Sequence, residues 1–321
     1  MLRGLAALRP DLDWGWYYRP HRYLKSYVKR FREPLPPNAH RALLFDRAAW
    51  RPRRLFHGFN QRLPETPFAR QVVTFHDLFV MTAEYSTPEF RARFAAQAQH
   101  AARTADRIIA VSQFTADQVA GLLPVPRARI TVIPHGIRAL PPVEATREKI
   151  VLHVGAIQKR KNLVRLVHAF AALPKEWRLV LAGSSGYGSE EVLDAVNGSS
   201  CKDRIQMTGY VTSTELARWY ARASVFAFPS LDEGFGMPVL EAMSAGVPVL
   251  AANGSAVREV AADAALLVDP LSVDEMAEGL KQLAAGEQLR EGMITAGHRR
   301  AAEFSWDRAC AATLGVYETL F

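Results

Sequence analysis

Two hydrophobic patterns alternate along this chain. Short apolar runs rich in β-branched residues stand at Arg54-Leu-Phe-His, Gln71-Val-Val-Thr-Phe-His, Arg107-Ile-Ile-Ala-Val-Ser and Ile130-Thr-Val-Ile-Pro-His-Gly-Ile. They return at Ile150-Val-Leu-His-Val-Gly, Arg178-Leu-Val-Leu-Ala-Gly, Ile205-Gln-Met-Thr-Gly, Val225-Phe-Ala-Phe and Val247-Pro-Val-Leu-Ala. Between them apolar residues recur at helical spacing, over about Pro88 to Thr104 and over Gln113 to Leu122. Near-continuous apolar strands separated by helices predict a parallel sheet covered on both faces. The series is interrupted at Pro141-Pro-Val-Glu-Ala-Thr, a linker-like stretch. That break divides the chain into a first unit over 1–145 and a second over 146–303, leaving 304–321 as a terminal segment.

Composition narrows the class without identifying it. The 321 residues are 49% hydrophobic and 22% charged, the balance of a globular protein. Two cysteines, Cys201 and Cys310, make no disulfide framework and point to a reducing compartment. No apolar run reaches the ~20 residues of a spanning helix, and Asp11 and Asp13 follow Leu8 too soon for a secretory signal. A cytoplasmic chain is the expectation. The net charge of +8 is unevenly placed: residues 1–149 carry roughly twice as many basic as acidic side chains. The densest basic part, Arg19 to Arg54, is preceded and interleaved by Trp14, Trp16, Tyr17, Tyr18, Tyr23 and Tyr27. Basic residues beside amphipathic aromatics suit an anionic membrane surface, such as the inner face of a membrane, or a phosphate-bearing acceptor. A solvated Arg-rich surface accounts for the same charge, and no nucleic-acid-binding motif accompanies it.

The most informative stretch is Glu233-Gly-Phe-Gly-Met-Pro-Val-Leu-Glu241. Gly234 and Gly236 let backbone approach a ligand closely on either side of Phe235. A helix starting near Pro238 would aim free N–H groups and a positive dipole end at an anion, with Met237 and Val239 beside it. One carboxylate precedes that anion site and the other lies about one turn into the helix. N–H groups for phosphate and carboxylates for hydroxyls suit a nucleoside-diphosphate sugar. Earlier in the second unit, Val154-Gly-Ala-Ile-Gln-Lys-Arg-Lys-Asn-Leu leaves a strand and opens a helix, so that Arg160 and Lys161, after the turn at Gly155, can converge on phosphate oxygens.

These motifs resemble the retaining glycosyltransferases of family four, whose signature is Glu-x₇-Glu. The resemblance implies a GT-B fold, two Rossmann-like domains facing across a cleft. It extends to Val73-Thr-Phe-His-Asp, Val111-Ser-Gln-Phe-Thr and Ile133-Pro-His-Gly-Ile in the first unit. It implies that Glu233, Phe235 and Gly236 face the donor sugar, with Gly234 in the same donor-binding run, and that Glu241 holds the ribose. Gly155, Arg160 and Lys161 would take the diphosphate, and Tyr210 and Val211 would lie on the base side. His76 would reach the sugar from across the cleft, with Asp77 and His57 toward the acceptor. His135 would belong to the interdomain turn, and Ser112 and Thr115 would form a helix cap and first turn. Phe304-Ser-Trp-Asp resembles the start of a helix that crosses back onto the first domain.

One departure stands out. Such a first domain opens with a strand and a Gly-rich loop, whereas Leu2-Arg-Gly-Leu-Ala-Ala-Leu already reads as the helix that follows them. The expectation is an acceptor domain lacking its first strand, through a late start site or a different acceptor side. In the catalytic expectation Arg160 and Lys161 stabilise the leaving phosphate, while His76 and Glu233 orient the sugar. Configuration is retained, no metal or other cofactor takes part, and no nucleic acid is bound. Members with the Arg-Lys-Asn loop and the His-Asp dipeptide are often mannosyl- or rhamnosyltransferases. GDP-mannose or a deoxyhexose relative is therefore the expected donor, and a glycan or lipid-linked oligosaccharide of a surface polysaccharide such as lipopolysaccharide the expected acceptor. The alternatives are a GT-B epimerase, a phosphorylase and a catalytically inactive nucleotide-sugar-binding protein.

Overall fold

A computed structural model describes residues 1–18, 34–44, 55–65 and 68–321. Two parallel sheets organise them. The first half carries β3 (Leu55–Gly58), β4 (Arg70–Phe75), β5 (Arg107–Ala110) and β6 (Ile130–Val132), paired in that order, after a separate parallel pair, β1 (Trp14–Tyr18) and β2 (Ala39–Leu43). The second half carries six strands: β7 (Glu148–Val154), β8 (Arg178–Ala182), β9 (Ile205–Gly209), β10 (Ala223–Phe228), β11 (Val249–Ala252) and β12 (Leu266–Val268). Their order is β12-β11-β10-β7-β8-β9, all parallel.

Alternate residues of the second sheet face opposite layers, as the two-residue strand period requires. Ile150, Leu152, Val180, Phe226 and Phe228 pack in one core with the helix Met237–Ser244, while Val151, Leu179, Leu181, Val225 and Ala227 pack in another with the helices Leu163–Phe170 and Val273–Ala285. The first sheet is covered similarly on one face, where Val73, Phe75 and Ile108 meet Phe94 and Ala98 of the helix Pro88–Thr104. On its other face Val72 and Ile109 meet Leu5 of the helix Leu2–Leu8, and Ala309, Cys310, Val316 and Tyr317 of the last helix, Trp306–Glu318. The C-terminal segment thus roofs the first sheet. Its Tyr317 hydroxyl bonds His57 Nδ1 at 2.6 Å.

Among the described residues no strand precedes the helix Leu2–Leu8. Of the basic and aromatic segment, residues 19–33 and 45–54, with Tyr23 and Tyr27, lie outside the described residues. The aromatics of β1 are partly buried: Tyr17 packs edge-on against Phe56 and Phe68, and Trp14 lies near Tyr317. These rings help hold the first half together. No described helix is long and apolar enough to cross a membrane.

Candidate functional site

The strand order reverses between β7 and β10. Each strand's following chain leaves in the opposite direction from there, opening a crevice at their C-terminal ends, where open parallel sheets bind ligands. The two loops that emerge are the two read from the sequence. After β7 runs 155–162, and after β10 runs 229–236. They are stitched together by main chain and side chain: Leu231 N donates to Arg160 O (2.8 Å), and Asn162 Nδ2 donates to Pro229 O (3.1 Å).

Glu233 sits between the two cations. Arg160 Nη1 lies 2.8 Å from Glu233 Oε1, and Lys161 Nζ pairs with the same oxygen. Arg160 Nη1 also donates to Asp232 O (2.9 Å), and its guanidinium lies 4.2 Å from the centroid of the Phe79 ring in the first half. The Lys161 ammonium lies over Phe228. Burial favours the neutral Glu233 carboxyl, but Lys161 and Arg160 outweigh it and hold its pKa at about 2, so the carboxylate stays charged. The sequence reading put the cations on phosphate and Glu233 on sugar. The structure brings all three into direct contact.

Several buried polar atoms around this cluster have no partner in the protein: Arg160 Nε, Asp232 Oδ1, Ser230 Oγ and His153 Nε2. Buried polar groups are normally bonded. His153, fully buried in β7, donates from Nδ1 to Ala227 O (3.0 Å), which leaves Nε2 as a bare acceptor. Burial, then the nearby Lys161 charge, pulls its pKa to about 3. Unspent donors and acceptors on both loops match a polar ligand carrying phosphates and hydroxyls. Gly155 begins the first loop beside them; a Cβ built there would lie 3.5 Å from both Lys161 Nζ and His153 Nε2.

Helix Met237–Ser244 starts from Gly236, whose φ of +100° few other residues adopt. Pro238 occupies its first turn and Val239 is buried beneath it. Glu241, buried one turn on, accepts from the Tyr220 hydroxyl at 3.1 Å and pairs with Arg138 at 3.4 Å. Burial raises its pKa against the opposing pull of Arg138 and Tyr220. Tyr210 is 78% exposed at the end of β9, and Val211 packs against the core.

The first half meets this loop at Gly234. A Cβ at that position would collide with the His76 carbonyl oxygen, so only glycine allows the approach. The His76 ring is engaged elsewhere. Its Nε2 donates to Phe59 O (2.7 Å), and its Nδ1 therefore accepts from His135 Nε2 (2.9 Å), the two rings stacking at 5.0 Å. Both histidines border a mainly apolar cavity of about 460 Å³ with Trp16, Phe59, Ile109 and Trp306. The His76 imidazole is thus bonded within the first half, to Phe59 O and to His135. Asp77, next in the chain, does face the cluster: burial raises its carboxyl to about pH 6, with Arg160 opposing and Glu233 and Asp232 assisting. His57 is bonded by Nδ1 to the Tyr317 hydroxyl and by Nε2 to Thr74 (2.8 Å).

Sequence reasoning missed Asp232, His153, Arg138 and Tyr220. Asp232 and His153 carried a signal. An acid directly before Glu233, and a histidine inside an apolar parallel strand, are both polar groups where burial needs a reason.

Family comparison fits this geometry. The model described as Glycosyl transferases group 1 matches residues 141–300, and that described as Glycosyltransferase Family 4 matches 8–139. The chain is 32% identical to O-antigen chain mannosyltransferase B of Escherichia coli, covering 94% of this chain and 84% of that protein. It is 33% identical to D-inositol 3-phosphate glycosyltransferase of Xylanimonas cellulosilytica, over 72% of this chain and 60% of that protein. Among solved structures, WaaG, a glycosyltransferase involved in lipopolysaccharide biosynthesis, superposes with a TM-score of 0.68 at 16% identity, over 88% of this chain and 87% of that one. Fold, paired loops and sequence likeness agree: the chain belongs to the family-four, group 1 glycosyltransferases, with the GT-B fold.

Proposed function

We propose that this glycosyltransferase moves a hexose, mannose or a deoxyhexose relative, from a nucleoside-diphosphate sugar to a glycan or lipid-linked acceptor of a surface polysaccharide, with retention of configuration. The observation that carries the reading is the Glu233–Arg160–Lys161 cluster at the switch point, ringed by unpartnered buried polar atoms. The likeness to an O-antigen mannosyltransferase supports the choice of mannose and of acceptor class.

Lys161 and Arg160 keep donors in reserve after pairing with Glu233: an ammonium has three N–H groups and a guanidinium five. They can take diphosphate oxygens while Glu233 faces the sugar hydroxyls. As the anomeric C–O bond breaks, negative charge collects on the diphosphate and positive charge on the ring. Arg160 and Lys161 offset the first, and the Glu233 carboxylate the second. The acceptor hydroxyl adds on the face that the diphosphate leaves and passes its proton to a phosphate oxygen. In this reading the two cations carry the charge that a metal carries elsewhere, so a chelator leaves the rate unchanged. Glu241, on the next helical turn, takes the ribose hydroxyls. The reaction takes place on the cytoplasmic side, at the membrane's inner face.

The test is thermal melting against GDP, UDP, dTDP, ADP and CDP, each with its sugar conjugates, because a ligand bound to the native state raises the melting temperature by mass action. A selective rise with the GDP series supports the reading, and a rise with another base replaces the donor. Glu233→Ala should abolish sugar transfer while diphosphate binding persists; turnover at the wild-type rate would remove Glu233 from the sugar site.

A further inference from the structure

The donor loop is held from the other half of the molecule by bonds that its own fold does not need. The Gly234 carbonyl accepts from two hydroxyls at once, Ser112 Oγ at 2.7 Å and Thr115 Oγ1 at 3.0 Å. Both side chains are fully buried. Ser112 also caps the helix Gln113–Leu122 by accepting from Thr115 N at 3.0 Å. A cap needs that bond alone. The additional donation by Ser112, and all of the Thr115 donation, go to one main-chain oxygen across the domain boundary.

Neighbouring contacts fix the same juncture. The Glu259 carboxylate, on the helix Ser255–Ala261, accepts from Gln113 N (2.9 Å) and Phe114 N (3.1 Å). That helix also holds the donor loop directly, since Ala256 N donates to Glu233 O at 3.2 Å. On the loop's other side Asp232 Oδ2 accepts from the Thr82 hydroxyl at 2.7 Å. Asp232 and Gly234 are therefore both gripped by the first half.

The consequence follows from peptide geometry. A trans peptide unit is planar, so its carbonyl and the next N–H point in opposite directions. With the Gly234 carbonyl drawn onto Ser112 and Thr115, the Phe235 N–H is turned away from the helix Gln113–Leu122. We propose that Ser112 and Thr115 are positioning residues for transfer: by clamping the Gly234 carbonyl when the halves close, they aim the Phe235 N–H at the donor sugar. This rests on the reading of residues 233–236 as the sugar-holding loop. Neither hydroxyl touches substrate; each acts through the peptide it holds.

Thr115→Val keeps the side-chain shape and removes the donor, and Thr115→Ser restores it. Ser112→Gly removes the other hydroxyl at a position where glycine still serves as a cap. The probes are GDP and GDP-mannose, titrated calorimetrically, together with hydrolysis of GDP-mannose to GDP and mannose by water. Thr115→Val and Ser112→Gly should bind GDP within about twofold of the parent protein. They should bind GDP-mannose about fivefold more weakly, the effect of about one hydrogen bond, with kcat for hydrolysis reduced by about tenfold. Thr115→Ser should return both values to within about twofold of the parent protein. A purely structural role would weaken both ligands equally, and that result would overturn the proposal. So would unchanged GDP-mannose affinity and kcat in Thr115→Val, or a Thr115→Ser variant as impaired as the valine. Where melting selects another base, that base's diphosphate and sugar conjugate replace GDP and GDP-mannose as the probes; parent protein that binds none of the five diphosphates or their sugars would sink the donor-loop reading, and this inference with it.

Discussion

Arg160 and Lys161 stand beside each other in sequence, yet only the fold shows what they neutralise. In the free protein their common counterion is Glu233, a carboxylate 72 positions beyond Lys161. Replacing both cations by alanine should weaken nucleoside-diphosphate binding by ten- to a hundredfold, on the order of one or two charge-assisted bonds, while nucleoside monophosphate loses little. Titration with GDP and GMP reads this directly, and equal losses for the two would place the cations away from the β-phosphate. Asp77 supplies a pH test. Its carboxyl titrates at about 6 in the folded chain against the usual 3.8, so the folded state binds more protons over that interval. Stability then falls as pH rises from about 4 to about 6, and Asp77→Asn should flatten that slope in denaturant titrations. A slope retained in the variant would assign it to another group. Glu233 has the opposite sign: its depressed pKa stabilises the fold above the ordinary carboxylate range, and that contribution fades as pH falls toward about 2.

At the scale of elements, boundaries with chemical punctuation were legible. Thr87-Pro88 and Ser112 mark the starts of the helices Pro88–Thr104 and Gln113–Leu122 because a hydroxyl at each cap accepts from a first-turn N–H. The β1–β2 pair was not legible, since Trp14–Tyr18 is partly buried throughout and shows no alternation that separates strand from loop. The helix Met237–Ser244 depends on one backbone angle. Gly236→Ala must hold φ near +100°, which costs roughly 1–2 kcal/mol and re-aims the first turn. The expected outcome is a melting temperature lower by a few degrees and diphosphate affinity reduced about tenfold. Unchanged affinity would show that the helix start does not help hold the diphosphate.

Across the whole molecule the two halves are joined, among the described residues, at specific places that include Gly234 against His76, Ser112 and Thr115, Asp232 against Thr82, Glu259 on the helix Gln113–Leu122, and the helix Trp306–Glu318 over the first sheet. Gly234→Ala should therefore separate the halves while leaving each core packed, because the added methyl meets main chain that has nowhere to move. Circular dichroism should be unchanged, the radius of gyration from solution scattering should rise, and transfer should be lost. A variant with native compactness and native rate would mean that the contact is not needed for the closed state.

Local chemistry determined much by itself. Alternating apolar runs specified a parallel α/β protein in two units, since strands buried on both faces must be continuously apolar. The Glu233–Glu241 run and the Arg160–Lys161 loop stood out as one candidate site, because glycine, carboxylate and paired cations at such spacing have few structural uses, and the fold brings the two loops together. Tertiary structure alone decided the partners. Glu233 became the counterion of both cations, His76 turned its ring onto His135, His57 became a tie to Tyr317, and Ser112 and Thr115 reached beyond their own helix. The reason is physical: residue type and spacing set what a side chain can bond, but which partners burial brings within reach is decided only when the halves assemble.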